Sequence, residues 1–247
     1  MYNMLTKKEI WDQKMKEIET TYNSLTFNHI PQDASNTMVI VEPRKHPHLQ
    51  AVLKNMIHHF PDWNLHIFHG TINKTFLLNI LGSTHQTTLT NIGMANLTKH
   101  QYSRLLTTPS FWKSIKGNKI LIFQTDVLVR HNNIQSYLQY DYIGGPWCIH
   151  PSEITKKLTE PCGGNGGFSL RTKEKCIHIC ETYPYNGEPE DLYFSKYMQE
   201  AQNHLPLPTI AKDFCIDQVI SENPLALHQI YNLHYLPTNT MKQLLDF

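Results

Sequence analysis

The chain has 247 residues, with 22 Lys and Arg against 21 Asp and Glu, a net charge of +1, and 40% hydrophobic against 17% charged residues. That length allows one large α/β core, and the composition excludes a disordered chain. The near-neutral balance has no basic clusters, which excludes nucleic acid or an anionic membrane as the main partner.

No apolar run nears the ~18 residues of a membrane span, and the polar N-terminus is unlike a secretory signal. The five cysteines, Cys148, Cys162, Cys176, Cys180 and Cys215, contain no C-x-x-C pair. They speak for reduced thiols rather than a disulfide framework or zinc ribbon, and so for a cytoplasmic location. Asn73-Lys-Thr75 and Asn96-Leu-Thr98 match the glycosylation sequon, which matters only in a secreted protein.

Taken in order, Thr6 and Glu9 have the spacing of a capping box, and Ile10, Trp11, Met15 and Ile18 follow at helical spacing. A polar stretch ending in Pro31 to Asn36 completes a lead-in over 1–36, ahead of a single domain over 37–247. The short β-branched run Thr37–Val41 reads as a strand buried on both faces. Leu49, Val52, Leu53, Met56, Ile57 and Phe60 mark one face of a helix, and Leu65–Phe68 a second strand. This βαβ unit predicts a mostly parallel central sheet flanked by helices.

Further on, the pattern predicts a helix near Lys74–Leu81, a strand around Thr87–Ile92 and helices between Thr98 and Ile115. Lys119–Phe123 is the most apolar run of the middle region and passes into Gln124-Thr125-Asp126. A helical turn near Ile134–Tyr140, a strand at Tyr142-Ile143, a glycine cluster, a strand at Phe168–Leu170 and helices from about Thr172 and Glu188 complete the series.

Ligands of open α/β sheets bind beyond the carboxyl ends of the strands, which is where Asp126 falls. Its carboxylate suits Mg²⁺ or Mn²⁺, with phosphates completing the shell; capping of the next turn is the plain alternative. Gly163, Gly164, Gly166 and Gly167 around Asn165 offer either a tight bend or a backbone that a sugar can approach. Glu190 and Asp191 open a helix, where acids favour the dipole; Asp191 equally suits a general base. None of the 15 histidines lies in an H-E-x-x-H pattern, and His228 is the one singled out as a metal ligand.

These pieces occur together in a recognisable order. Val39–Arg44, Phe123-Gln-Thr-Asp126, Tyr142–Trp147, Gly164–Arg171 and Glu190-Asp191 resemble a family of GT-A-like glycosyltransferases, known mostly as a domain of unknown function and frequent in large DNA viruses. The resemblance implies a single-domain, Rossmann-like GT-A fold, in the host cytoplasm if the source is viral.

It also implies a metal-dependent glycosyltransferase of hexosyl or N-acetylhexosaminyl type. The donor would be a nucleoside-diphosphate sugar, UDP-linked, and the acceptor a hydroxyl of a glycan or glycoprotein, with inversion. Asp126 and His228 would hold Mn²⁺ or Mg²⁺, with Gln124 standing where such enzymes carry a first acid. Glu42, Pro43, Arg44, Gln124 and Thr125 would contact the nucleotide, and Trp147, Gly164, Asn165, Gly166 and Gly167 the sugars. Asp191, beside Glu190, would be the base. The rival readings are a catalytically silent nucleotide-sugar or glycan-binding module and, less well supported, a nucleotidyltransferase.

Overall fold

The computed structural model describes residues 5–22, 35–82, 87–147 and 160–247; Cys148 and most of the lead-in after the first helix lie outside this set. The capping box forms as its spacing predicts, since Glu9 N–H donates to the Thr6 hydroxyl and the Glu9 carboxylate accepts from Thr6 N–H. It starts α1 (Lys7–Thr21). Ile10, Trp11, Met15 and Ile18 of α1 are buried in the main core, alongside α2 (Leu49–His59).

Among the described residues the central sheet holds six strands in the order β3-β2-β1-β4-β7-β6. β1 (Asn36–Glu42), β2 (Asn64–His69), β3 (Thr88–Asn91) and β4 (Lys119–Phe123) run parallel. Alternate residues of a strand face opposite sides, and here both sides are apolar. Met38, Ile40, Leu121 and Phe123 join the cluster under α1 and α2, whereas Val39, Val41, Ile120 and Ile122 join a second cluster with Trp112 and Phe194. This double burial is why β1 and β4 read as unbroken apolar runs. The mainly parallel sheet flanked by helices is the fold class expected from the βαβ pattern.

Two features depart from that pattern. β7 (Phe168–Thr172) pairs antiparallel with β4, Phe123 against Phe168, and β6 (Tyr142–Gly144) is antiparallel to β7; strand direction leaves no mark on residue periodicity. A second sheet, of three strands among the described residues, β5 (Val127–Val129), β9 (Ala226–His228) and β8 (Cys215–Ile216), was not foreseen, because segments this short carry no periodic signal.

Asn55 of α2 pins β5, its amide donating to Val129 O at 2.9 Å and its carbonyl accepting from Val129 N at 2.7 Å. Between the strands lie α3 (Lys74–Leu81), α4 (Lys99–Leu106) and α5 (Pro109–Lys113), and after β7 come α6 (Lys173–Thr182), α7 (Glu190–Glu200), α8 (Pro208–Phe214) and α9 (Thr238–Leu245). The expected turn near Ile134–Tyr140 is a 3₁₀ segment, Gln135–Tyr137. Among the described residues no helix is long and apolar enough to cross a membrane.

His66, on β2, is only 3% exposed, stacks on Phe68 and shares a 2.8 Å hydrogen bond with Thr90. Burial lowers its imidazole from 6.5 to about 4. Because the folded value lies below the unfolded one, its contribution is complete above pH ~6.5 and is lost as pH falls toward 4. Stability by urea titration is expected to drop by about 1–2 kcal/mol from this residue between pH 7 and 5. His66→Gln should flatten that slope, and an unchanged slope would show that the ring is not held neutral.

Candidate active site

The carboxyl ends of β1 and β4 open into a cavity of about 610 Å³. Of the residues singled out in the sequence, Glu42, Pro43, Arg44, Gln124, Thr125, Asp126, Asn165, Gly166, Gly167, Glu190, Asp191 and His228 all line it. Residues 96–100, Tyr102 and Ser103, from the start of α4 and the loop before it, form a further wall that sequence reasoning did not assign to the site.

Asp126 and His228 lie 102 positions apart in sequence and meet because β5 pairs with β9. Val127 stands opposite His228, and Gln229 N–H donates to Asp126 O at 3.1 Å. His228 Nε2 then lies 3.6 Å from Asp126 Oδ1, which is buried with no hydrogen-bond partner. On the other side of the ring, Nδ1 bonds Asp217 Oδ1 at 2.9 Å. Burial works against the imidazolium, but the Asp217 hydrogen bond and the charges of Asp126, Asp217 and Asp191 outweigh it and raise His228 above the ordinary histidine value.

When Nδ1–H is donated to Asp217, the neutral ring keeps an Nε2 lone pair beside Asp126, and in this structure the Gln229 amide, 3.0 Å away, donates to it. A carboxylate behind a histidine is the usual support of a metal-binding imidazole. Among the described residues no three His, Cys, Asp or Glu side chains gather as a metal cage. One carboxylate oxygen and one imidazole nitrogen fit the other type of site, in which ligand phosphates and water complete the shell. Asp217 had no sequence signal of its own, lying in an ordinary loop 11 residues before His228.

The glycine run is shaped by the side chains packed on it. A Cβ at Gly167 would stand 2.2 Å from His228 Nε2, and one at Gly166 2.0 Å from Glu190 Oε1. The Asn165 side-chain Oδ1 accepts from Gly167 N at 2.7 Å, and Asn165 lines the cavity. Gly164 is not in the lining. It takes a φ of +87° and packs on Gly144, whose carbonyl a Cβ would meet at 2.6 Å, so its role is close backbone packing. Trp147 is not in the lining either, and Gly145, two positions before it, packs on Cys215 and Asp217.

Glu190, expected beside the base, is engaged elsewhere. Its carboxylate accepts from Arg171 at 2.6 Å in a fully buried pair, with the guanidinium also set over the Tyr142 and Phe194 rings. Burial raises the Glu190 carboxyl against the pull of Arg171, while the pair keeps Arg171 firmly cationic. Asp191, one residue on, is partly exposed, accepting from Leu192 N at 2.9 Å and from Gly166 N at 3.3 Å.

On the nucleotide side of the expected site, Arg44 makes a bidentate pair with Glu42, at 2.8 and 2.7 Å. This turn is held by Asn73, fully buried, which donates to Glu42 O at 2.8 Å and Arg44 O at 3.0 Å. One of the two sequons therefore centres on a structural amide rather than an exposed loop.

A family model described as "Protein of unknown function (DUF5672)" matches residues 87–228, more than half of the chain. The chain belongs to that family. The DUF5672 region runs from the start of β3 to the end of β9, so it holds Asp126, the glycine run, Asp191 and His228, while Glu42–Arg44 lie before it. No curated protein matches. Among 146 matching chains of solved structures is a Desulfovibrio desulfuricans G20 protein provisionally named a nucleotide-diphospho-sugar transferase, at 10% identity and a TM-score of 0.41. That match covers 69% of this chain and 78% of the other.

Gly167→Ala is expected to push against a ring fixed by Asp217, as overpacking does, at about 1–3 kcal/mol. Loss of stability in urea titration checks this; an unchanged midpoint would mean that His228 moves freely.

Proposed function

We propose that the chain is a GT-A-type glycosyltransferase that moves a sugar from a UDP-linked donor, hexosyl or N-acetylhexosaminyl, to a hydroxyl of a glycan or glycoprotein. The observation that carries this reading is the Asp126–His228 pair, a partnerless buried carboxylate oxygen facing an imidazole nitrogen at the end of a parallel sheet. The cavity, at about 610 Å³, has the size of a small-molecule site. The one-domain reading, with the α1 segment as its lead-in, belongs to the same proposal.

Asp126 Oδ1 and His228 Nε2 would hold Mn²⁺ or Mg²⁺, which supplies neutralisation of the charge growing on a leaving diphosphate. Arg44, fixed by Glu42, adds a cation on the same side. Gln124 and Thr125, which line the same cavity, would complete the nucleotide end. Asn165 offers its amide to a sugar hydroxyl.

Asp191 takes the acceptor proton as the acceptor oxygen bonds the anomeric carbon. The anomeric C–O bond breaks in the same step, and its electron pair leaves with the diphosphate. A single displacement inverts configuration. Asp191 is the better base than Glu190, because Glu190 is tied to Arg171 and Asp191 forms no ion pair among the described residues.

General-base assistance is typically worth ~10²–10⁴-fold. Asp191→Asn is therefore expected to lower kcat by that order with donor affinity nearly unchanged, in a transfer assay with a panel of hydroxyl acceptors. Wild-type turnover in this variant would sink the base assignment. Calorimetric titration with UDP-sugars should show tighter binding in Mn²⁺ than in EDTA, and Asp126→Asn should abolish the difference. Equal affinity in both buffers would count against a metal at Asp126. Donor binding with neither transfer nor hydrolysis would favour the silent binding module, and pyrophosphate release from a nucleoside triphosphate a nucleotidyltransferase.

A further inference from the structure

Among the described residues, several buried polar side-chain atoms have no hydrogen-bond partner, and two of them belong to residues lining the cavity: Asp126 Oδ1 and the Tyr102 hydroxyl. The first is accounted for by a cation. Tyr102 is not used by the mechanism above and had no signal in the sequence.

Its placement is rigid. Tyr102 sits in the first turn of α4, whose start is fixed by a Thr98–Gln101 capping box. The next residue, Ser103, accepts from Glu190 N at 3.2 Å and so locks α4 against the start of α7. The Tyr102 hydroxyl is fully buried, within the fields of Glu190, Arg171 and Asp191, and the nearby Gln124 amide does not reach hydrogen-bond geometry with it. Burial raises its pKa well above the usual phenol value, so the hydroxyl stays a neutral donor.

Leaving a buried hydroxyl unpaired is unfavourable, and native proteins nearly always supply a partner. On a cavity wall the missing partner is whatever fills the cavity. Asp126 and Arg44 mark the diphosphate end, whereas the Ser103–Glu190 bond sets Tyr102 against the start of α7, between Gln124 and the Glu190–Asp191 pair, on the side where the proposed transfer takes place.

We infer that Tyr102 is a specificity-determining contact, its hydroxyl donating a hydrogen bond to an oxygen of the transferred sugar. This rests on the glycosyltransferase reading. It implies that sugars lacking that oxygen are discriminated against, because the hydroxyl is then buried unpaired.

Tyr102→Phe tests it, since phenylalanine keeps the ring and removes only the orphan. Thermal melting of the free protein should be unchanged or raised, because no protein partner is lost. By calorimetry with UDP-glucose and UDP, or GDP-mannose and GDP, whichever pair the wild type binds, the nucleotide sugar should weaken roughly tenfold and the free diphosphate not at all.

A fall in melting temperature would show the hydroxyl already bonded in the free protein and would overturn the assignment. So would equal affinity of variant and wild type for the nucleotide sugar, or equal weakening of both ligands. Wild-type protein that binds neither ligand overturns the glycosyltransferase reading itself. A selective loss of sugar affinity with intact stability is not what a merely structural tyrosine would give.

Discussion

The short ladder between β5 and β9 is the contact on which the site depends. Three residue pairs, Val127 with His228, Leu128 with Leu227 and Val129 with Ala226, join segments about a hundred residues apart. Closing so long a loop carries an entropic cost that grows only slowly with length. All of those side chains are buried in the main core except His228, which is turned to the cavity. The ladder is extended by Arg130 N donating to Leu225 O at 2.8 Å and held from the helix side by Asn55. The Asp126–His228 geometry thus inherits the rigidity of an apolar ladder, and neither residue needs to be positioned by a ligand.

A second constraint acts from the opposite wall. Arg171 is fully buried, and a lone cation there would be prohibitively unfavourable. Glu190 neutralises it, while the Trp112, Tyr142 and Phe194 rings lie at 5.8, 4.5 and 5.0 Å from the guanidinium carbon. Arg171 also donates to Ser169 Oγ, whose hydroxyl donates to Gly166 O. One buried ion therefore ties the start of α7 to the glycine run. The absent side chain at Gly166 is what leaves space for Glu190.

Much of this was legible because the strongest signals are local. β1, α2, β2 and β4 follow from apolar periodicity, and the α1 cap from Thr6 and Glu9 alone. Asp126 could be placed because a buried strand must end before a charge. What stayed hidden depends on pairing between distant segments. β5, β8 and β9 are two or three residues long, and nothing in Asp217 or Tyr102 announces a neighbour across the fold. The glycine run stood out in the sequence, but what requires it did not. Gly164, Gly166 and Gly167 are required mainly by Gly144, Glu190 and His228 packed against them, a requirement that only the assembled structure exposes.

The acids of the cavity separate into two kinds. Glu42 is held by Arg44 and Glu190 by Arg171, so both are structural counter-charges. Asp126 and Asp191 remain. Asp126 has one oxygen shut away from water and without a hydrogen-bond partner, 3.6 Å from the His228 imidazole. Asp191 is partly exposed at a helix start, its oxygens steadied by two backbone N–H groups. In the proposed function, charge stabilisation falls to the carboxylate with the buried oxygen and proton transfer to the partly exposed one, on that difference in exposure and contacts. That contrast, more than either residue alone, is the physical argument for chemistry at this site.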